Sequence, residues 1–538
     1  MSDTPILRLS DVSISLPAGS DRTHAVRNLS LRIAPGQCLC LVGESGSGKS
    51  VTGQAVLGVL PPALRQTSGS IAFRGAPLDT QQRGREIGTV FQEPTASLDP
   101  IMRIGNQLEE VLMVHGLLGR RARRARALEL LDAVKLPEPE RIHRAYPHEV
   151  SGGQAQRVVI AMALAFDPVL LIADEPTTAL DVTTQAEILR LLRELQTSRG
   201  SGLLFITHDL GVVADIADHV VVMEQGIAVE EGPVERVLSA PAHPYTRKLV
   251  AALPRRRAAR PAPSPRPDPV LEAEGVTLTY RGTTGLFRRT EVAAVQDVSL
   301  TLRRGETHGI VGESGSGKSS LVRCLLHLEQ RKSGQIRIMG QDTKDWGTGL
   351  PRAIRQRLQI VLQDPYTALN PRQRIGDAVA EAARIHGASS DQARVRAQTL
   401  LERVGLSAQS YTRFPHEFSG GQRQRICIAR ALATEPEILI ADEAVSALDV
   451  SIQAQILALF RELQERLGFA MLFVTHDLRV ASAICDDITV MRDGRVVEQG
   501  PMDRIFDAPR DPYTRALLDA VPDKAGRTGT LSAASGES

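Results

Sequence analysis

Short apolar runs closed by glycine-rich or charged turns recur along the chain: CLCLV at Cys38–Val42, VLLIAD from Val169 to Asp174 and LLFI from Leu203 to Ile206. The second half answers with THGIV at Thr307–Val311, ILIAD at Ile438–Asp442 and MLFV from Met471 to Val474. Such continuous runs predict strands buried on both faces of a parallel sheet, because a half-exposed strand would alternate apolar and polar residues. The most apolar stretch, Val158 to Ala173, is broken by Asp167-Pro168 and falls short of the ~20 apolar residues a membrane helix needs. Two Pro-started amphipathic segments, HPYTRKLVAALP (His243–Pro254) and DPYTRALLDAVP (Asp511–Pro522), predict short helices after the last strand of each half.

The halves are copies. GESGSGKS occupies Gly43–Ser50 and recurs, identical, at Gly312–Ser319, 269 residues on. SGGQ (Ser151, Ser419), IADE (Ile172, Ile440), THD (Thr207, Thr475) and PYTR (Pro244, Pro512) each recur 268 residues on, which is the register of a tandem duplication. Residues 1–254 and 271–523 are the expected domains. Between them 255–270 reads as a linker: the run from Pro254 to Val270, PRRRAARPAPSPRPDPV, holds six prolines and five arginines and predicts a solvated, semi-extended segment able to span about 50 Å. The polar tail, 524–538, predicts a frayed end.

Composition narrows the class. With 538 residues, 64 Lys+Arg against 62 Asp+Glu and a net charge of +2, the chain is unsuited to coating nucleic acid or an anionic membrane. Hydrophobic content of 42% and charged content of 23% describe a globular protein with sizeable cores. Five scattered cysteines, with Cys38 and Cys40 inside an apolar run, predict buried thiols in a reducing compartment rather than disulfides or a zinc site. The opening MSDTPILRLS has no secretory pattern.

The Gly-rich segments follow predicted strands, the context in which backbone amides at a helix N-terminus cradle phosphates. Gly43, Glu44, Ser45, Gly46, Ser47, Gly48, Lys49 and Ser50, with Gly312, Glu313, Ser314, Gly315, Ser316, Gly317, Lys318 and Ser319, are the expected nucleotide cradles. Lys49 and Lys318 are expected on the β- and γ-phosphates, and Ser50 and Ser319 on Mg²⁺. Adjacent carboxylates at the end of a buried strand are costly unless a cation or water network uses them. Asp174 and Asp442 are therefore expected to hold Mg²⁺, and Glu175 and Glu443 to act as general bases on the attacking water. His208 and His476 fall at the carboxyl ends of neighbouring strands, where α/β sheets bind ligands, and are expected to contact the γ-phosphate.

These motifs together resemble the ATP-binding cassette (ABC) ATPases, twice over. SGGQ matches the family signature, with Val150 and Phe418 standing where the family usually has Leu. The resemblance implies two P-loop, RecA-like α/β domains in tandem, each with a helical signature subdomain and a small antiparallel β subdomain. It implies ATP and Mg²⁺ as ligands, and Gln92 and Gln363 as Q-loop residues that sense the metal or the water. Ser151, Gly152, Gly153 and Gln154, with Ser419, Gly420, Gly421 and Gln422, would complete the opposite domain's ATP site. Ala179-Leu180-Asp181 and Ala447-Leu448-Asp449 match the D-loop. The family stacks adenine on an aromatic, which Tyr280 supplies, whereas the aligned position in the first copy is Leu16.

The PYTR segments are similar to the C-terminal extension of ATPases from oligopeptide, dipeptide, nickel and glutathione importers. That likeness implies a peripheral ATPase on the cytoplasmic face of the inner membrane, working with two permeases and an external solute-binding protein to take up a peptide-like solute, with no nucleic acid partner. No Cys follows Cys485, so the iron–sulfur cluster of some relatives is not expected. The alternative, a soluble tandem ATPase acting on ribosomes or nucleic acid, would call for a long charged helical linker, which the Pro-rich 255–270 does not resemble.

Overall fold

The computed structural model describes residues 4–79, 82–116, 119–177, 180–257, 267–284, 288–347, 349–446 and 448–520. Each half is built on a six-stranded sheet. In the first the order is Ile227–Pro233, His219–Glu224, Cys38–Val42, Gly202–Thr207, Leu170–Asp174, Ile87–Val90, parallel except for the antiparallel edge pair. The second half repeats it with Leu358–Val361, Ile438–Asp442, Ala470–Thr475, Thr307–Val311, Asp487–Arg492 and Arg495–Pro501. The P-loop strand sits centrally, where its two neighbours shield both edges.

Alternation explains why these runs are apolar throughout. Cys38, Cys40 and Val42 point into one core with the helices, while Leu39 and Leu41 point into a second core against a four-stranded antiparallel sheet. Side chains of successive strand residues emerge on opposite faces, so a sheet covered on both faces demands apolar residues at every position. All five cysteines are buried and free. Among the described residues, no helix is long and apolar enough to cross a membrane.

A helical layer interrupts each cassette between the edge strand and the strand bearing the carboxylates: Ile104–Val114, Arg120–Ala133 and Gly152–Ala163 in the first, Ile375–Ile385, Ser390–Arg403 and Gly420–Leu432 in the second. The PYTR segments form helices Pro244–Ala251 and Pro512–Asp519.

The linker departs from the solvated expectation at its start. The Arg257 amide donates to the Ser482 carbonyl at 3.0 Å, its guanidinium lies 3.3 Å from Asp486, and Arg256 pairs with Asp503 and Asp507 at 2.8 and 2.5 Å. Composition reveals Arg but not the carboxylates waiting on the other half. Residues 258–266, the tail from 524, and Ala179 and Ala447 of the D-loops lie outside the described residues.

Candidate functional site

Each P-loop turns from the end of its strand onto a helix N-terminus, Lys49–Leu57 or Lys318–Leu325. The residue before each lysine must be glycine: Gly48 and Gly317 hold φ of 102° and 99°, and a Cβ there would run into the carbonyl oxygen of Ala25 or Ala294. Lys49 Nζ donates to the carbonyls of Gly43 and Glu44 at 2.7 and 2.9 Å, and Lys318 to those of Gly312 and Glu313 at 2.7 and 2.8 Å. Burial lowers both lysine pKa values, opposed by nearby carboxylates led by Glu175 and Glu443.

A cavity of about 710 Å³ opens over the first P-loop. Its first-half wall includes Glu44, Ser45, Gly46, Gly48, Lys49, Ser50, Gln92, Glu175 and His208, and its second-half wall includes Ser419, Gly420 and Gly421. Ser419 caps the helix Gly420–Leu432 by accepting from the Gln422 amide at 3.4 Å, and Ser151 caps Gly152–Ala163 from Gln154 at 3.3 Å. The signature therefore has a local reason for its residue types besides any role toward phosphate. The halves also join at each P-loop: Asp449 accepts from the Ser45 amide at 3.1 Å, the Ser451 hydroxyl reaches Glu44, and the Thr183 hydroxyl reaches Glu313.

The carboxylates cluster behind the loops. Ser50 Oγ donates to Asp174 at 3.0 Å; Gln92 donates to Glu175 at 3.0 Å, and His208 Nδ1 lies 3.1 Å from the other Glu175 oxygen. In the second copy His476 Nδ1 lies 3.6 Å and Lys318 Nζ 4.0 Å from Glu443. Gln363 follows the strand Leu358–Val361, and Ser319 opens its helix beside Lys318. Burial raises the Asp174 pKa. Burial, then the Glu443 charge, pushes Asp442 up to about 6, and its enclosed Oδ1 has no hydrogen-bond partner among the described residues. The enclosed Asp442 oxygen in the second copy, and the Ser50 hydroxyl on Asp174 in the first, fit a small hard cation such as Mg²⁺. Burial alone would lower the His208 pKa; the Glu175 hydrogen bond and the Glu175 and Asp449 charges outweigh it and raise it.

Leu16 lines the first cavity, as does Arg22, whose guanidinium donates to the Gly46 carbonyl. Tyr280 is partly buried against the core of the second half, its enclosed hydroxyl without a partner among the described residues.

Three features escaped sequence reasoning. Arg479 pairs with its own Asp477 at 2.8 Å and with Asp209 of the first half at 3.3 Å, joining the two THD loops. Its signal is a departure from the repeat, since the aligned first-copy residue is Gly211. Asp364, Pro365 and Tyr366 of the second half line the first cavity; the repeated FQEP and LQDP segments mark this stretch in the sequence but not the opposite half's site that it faces. The PYTR tyrosines reach the P-loops: Tyr245 Oη accepts from the Glu44 amide at 3.1 Å and Tyr513 Oη from the Glu313 amide at 3.2 Å. The repeat exposed the motif but not its partner.

Comparison with known proteins finds the same duplication. The ABC transporter family model matches residues 26–178 and 295–446, and the model of the oligopeptide/dipeptide transporter C-terminal region matches 229–274 and 497–538. The chain is 44% identical to a glutathione import ATP-binding protein, GsiA, of Salmonella choleraesuis, over 96% of this chain and 89% of that protein. It is 47% identical to a peptidoglycan transport ATP-binding protein, YejF, of Agrobacterium fabrum, over 96% of each.

Proposed function

The chain belongs to the ABC transporter ATPase family, carrying that family's nucleotide-binding domain twice, and we propose from this that it powers uptake of a peptide-containing solute through separate permeases. The observation that carries the proposal is the second family match, at the C-terminal segment of both cassettes, whose description is that of oligopeptide and dipeptide transporters. The relatives' solutes, glutathione and peptidoglycan, both contain peptide, which favours that class. The same relatives favour import over action on ribosomes or nucleic acid. In this reading the chain lies at the cytoplasmic face of the inner membrane, contacts two permeases and receives solute from an external binding protein. Residues 1–254 and 271–523 are the two working domains.

The proposed chemistry is transfer of the γ-phosphoryl group of ATP to water at two composite sites. The first combines Gly43–Ser50, Gln92, Asp174, Glu175 and His208 with Ser419–Gln422; the second combines Gly312–Ser319, Gln363, Asp442, Glu443 and His476 with Ser151–Gln154. Ser50, Asp174 and Gln92 would hold Mg²⁺ in one site and Ser319, Asp442 and Gln363 in the other, where the metal neutralises phosphate charge. The loop amides and lysine bind and orient the phosphates, and a closing signature serine excludes water and adds donors on the γ-phosphate. Glu175, held between Gln92 and His208, accepts the proton of the attacking water, while His208 fixes that carboxylate and faces the γ-phosphate; Glu443 and His476 act likewise.

Glu175→Gln with Glu443→Gln removes the bases while preserving shape. ATP should remain bound and turnover should fall at least about 10²-fold, read by phosphate release and nucleotide retention. Near-normal hydrolysis would remove the base assignment. Co-reconstitution with the permeases, followed by a screen of peptides for stimulated hydrolysis and uptake, tests the transport reading. Stimulation by a solute class without peptide bonds would overturn it.

A further inference from the structure

The PYTR segment is the motif that the reaction scheme leaves without a task, and its two copies make one contact twice. The helix Pro244–Ala251 is bolted down at its start: Glu230, on the edge strand Ile227–Pro233, accepts from the amides of Ala242 and His243 at 2.8 and 3.0 Å. In the second copy Glu498 accepts from the amides of Arg510 and Asp511 at 3.0 and 3.1 Å before the helix Pro512–Asp519. Each strut delivers one buried tyrosine, Tyr245 or Tyr513, whose hydroxyl takes the amide of the second P-loop residue. Burial raises both phenol pKa values, Tyr245 to about 12, so both stay neutral at physiological pH.

The residue held this way is a junction. The carbonyl of Glu44 accepts from Lys49 Nζ and its carboxylate takes the Ser451 hydroxyl of the other half; Glu313 does the same with Lys318 and Thr183. The tyrosine thus fixes the peptide unit on which the lysine rests and from which contact with the opposite cassette departs. A loop whose other amides are to face a phosphate has to be held from behind, and an amide turned away from the ligand needs an acceptor of its own.

Building on the ATPase reading, we propose that Tyr245 and Tyr513 are positioning residues, through which the C-terminal helix of each cassette sets the shape of its own P-loop and so the ATP affinity of that site. Phe at either position keeps the ring in its core and removes only the oxygen. In the full-length protein, Tyr245→Phe with Tyr513→Phe should raise the KM for ATP roughly five- to tenfold, the scale of one lost buried hydrogen bond, while kcat changes less than about twofold. The melting temperature without nucleotide should stay close to wild type, which separates loop positioning from general packing. Titration with ATP in the Glu175→Gln, Glu443→Gln background should show Tyr245→Phe weakening one of the two binding events and Tyr513→Phe the other. If a Phe variant does not fold, Glu230→Gln with Glu498→Gln loosens the struts without touching the tyrosines and should raise KM in the same direction. An unchanged KM in folded Phe variants that hydrolyse ATP overturns this inference and leaves the ATPase reading standing. Absence of hydrolysis in the wild type would instead overturn the ATPase reading.

Discussion

Arg479 is a single residue with consequences at both sites. Burial alone would raise the pKa of Asp209, but the charges of Arg479 and His208 outweigh it and lower that pKa below its usual 3.8. A depressed carboxylate pKa stabilises the fold above the unfolded value and loses that contribution as pH falls through the folded one. Arg479→Gly, which copies Gly211 of the first half, leaves Asp209 and Asp477 without their shared cation. It should cost about 3 kcal/mol at pH 7 and move the acid-unfolding midpoint upward, measured by denaturant titration across pH 3–7. A second residue-scale asymmetry is Leu16 against Tyr280. If Tyr280 stacks on adenine, a contact worth about 1–3 kcal/mol, the Lys49 site should bind ATP several-fold more weakly than the Lys318 site. Titrating the full chain with one site disabled by Lys49→Ala or Lys318→Ala should show the gap, and Tyr280→Leu should narrow it.

At the scale of an element, the P-loop strands of the two halves differ in their approach. Glu306, just before the strand Thr307–Val311, is pushed far above its usual 4.5, to about 8, by burial first and then by Asp487 and Asp486, with Arg303 opposing and Arg257 occupied by Asp486. The first half places Gln37 and His219 at the aligned positions instead. A carboxyl whose folded pKa is raised binds its proton more tightly in the native state, so stability falls as pH rises from the unfolded value, about 4.5, toward the folded one. The full chain should therefore lose at least about 1 kcal/mol between pH 5 and 9, followed at Trp346, the only tryptophan, which lies in the second half. Glu306→Gln should flatten that slope.

Across the whole molecule, the halves are joined by more than a covalent tether. Arg256 and Arg257 dock on Asp503, Asp507 and Asp486, and the Arg257 amide is spent on Ser482, in the helix Leu478–Ile484 that follows His476-Asp477. These ion pairs are partly exposed, so their individual worth is about 0.2–1 kcal/mol, and their effect is to hold the linker start in one place. Arg256→Ala with Arg257→Ala should speed tryptic cleavage at Arg255 severalfold with little change in global stability. Equal cleavage rates in variant and wild type would show that the docking contributes nothing to protection.

The sequence alone determined what depends on local order. The apolar runs, the glycines that let the loop fold over a helix start, and the serine and glutamine of the signature are each written within a few consecutive residues, and the 268-residue repeat shows on direct comparison of the halves, so the two α/β cassettes and the composition of each P-loop were legible. The tertiary structure decided what joins distant positions. Ser45 meets Asp449 across 404 residues, Arg479 meets Asp209 across 270, and Tyr245 meets Glu44 across 201. No periodicity links such positions; the packing of one cassette on the other and of the last helix on the sheet does. The solvated reading of Arg256 and Arg257 failed for the same reason. An arginine in a Pro-rich run looks free until the fold brings a carboxylate within reach, because ion pairing depends on distance in space, whereas composition records only that the charge exists.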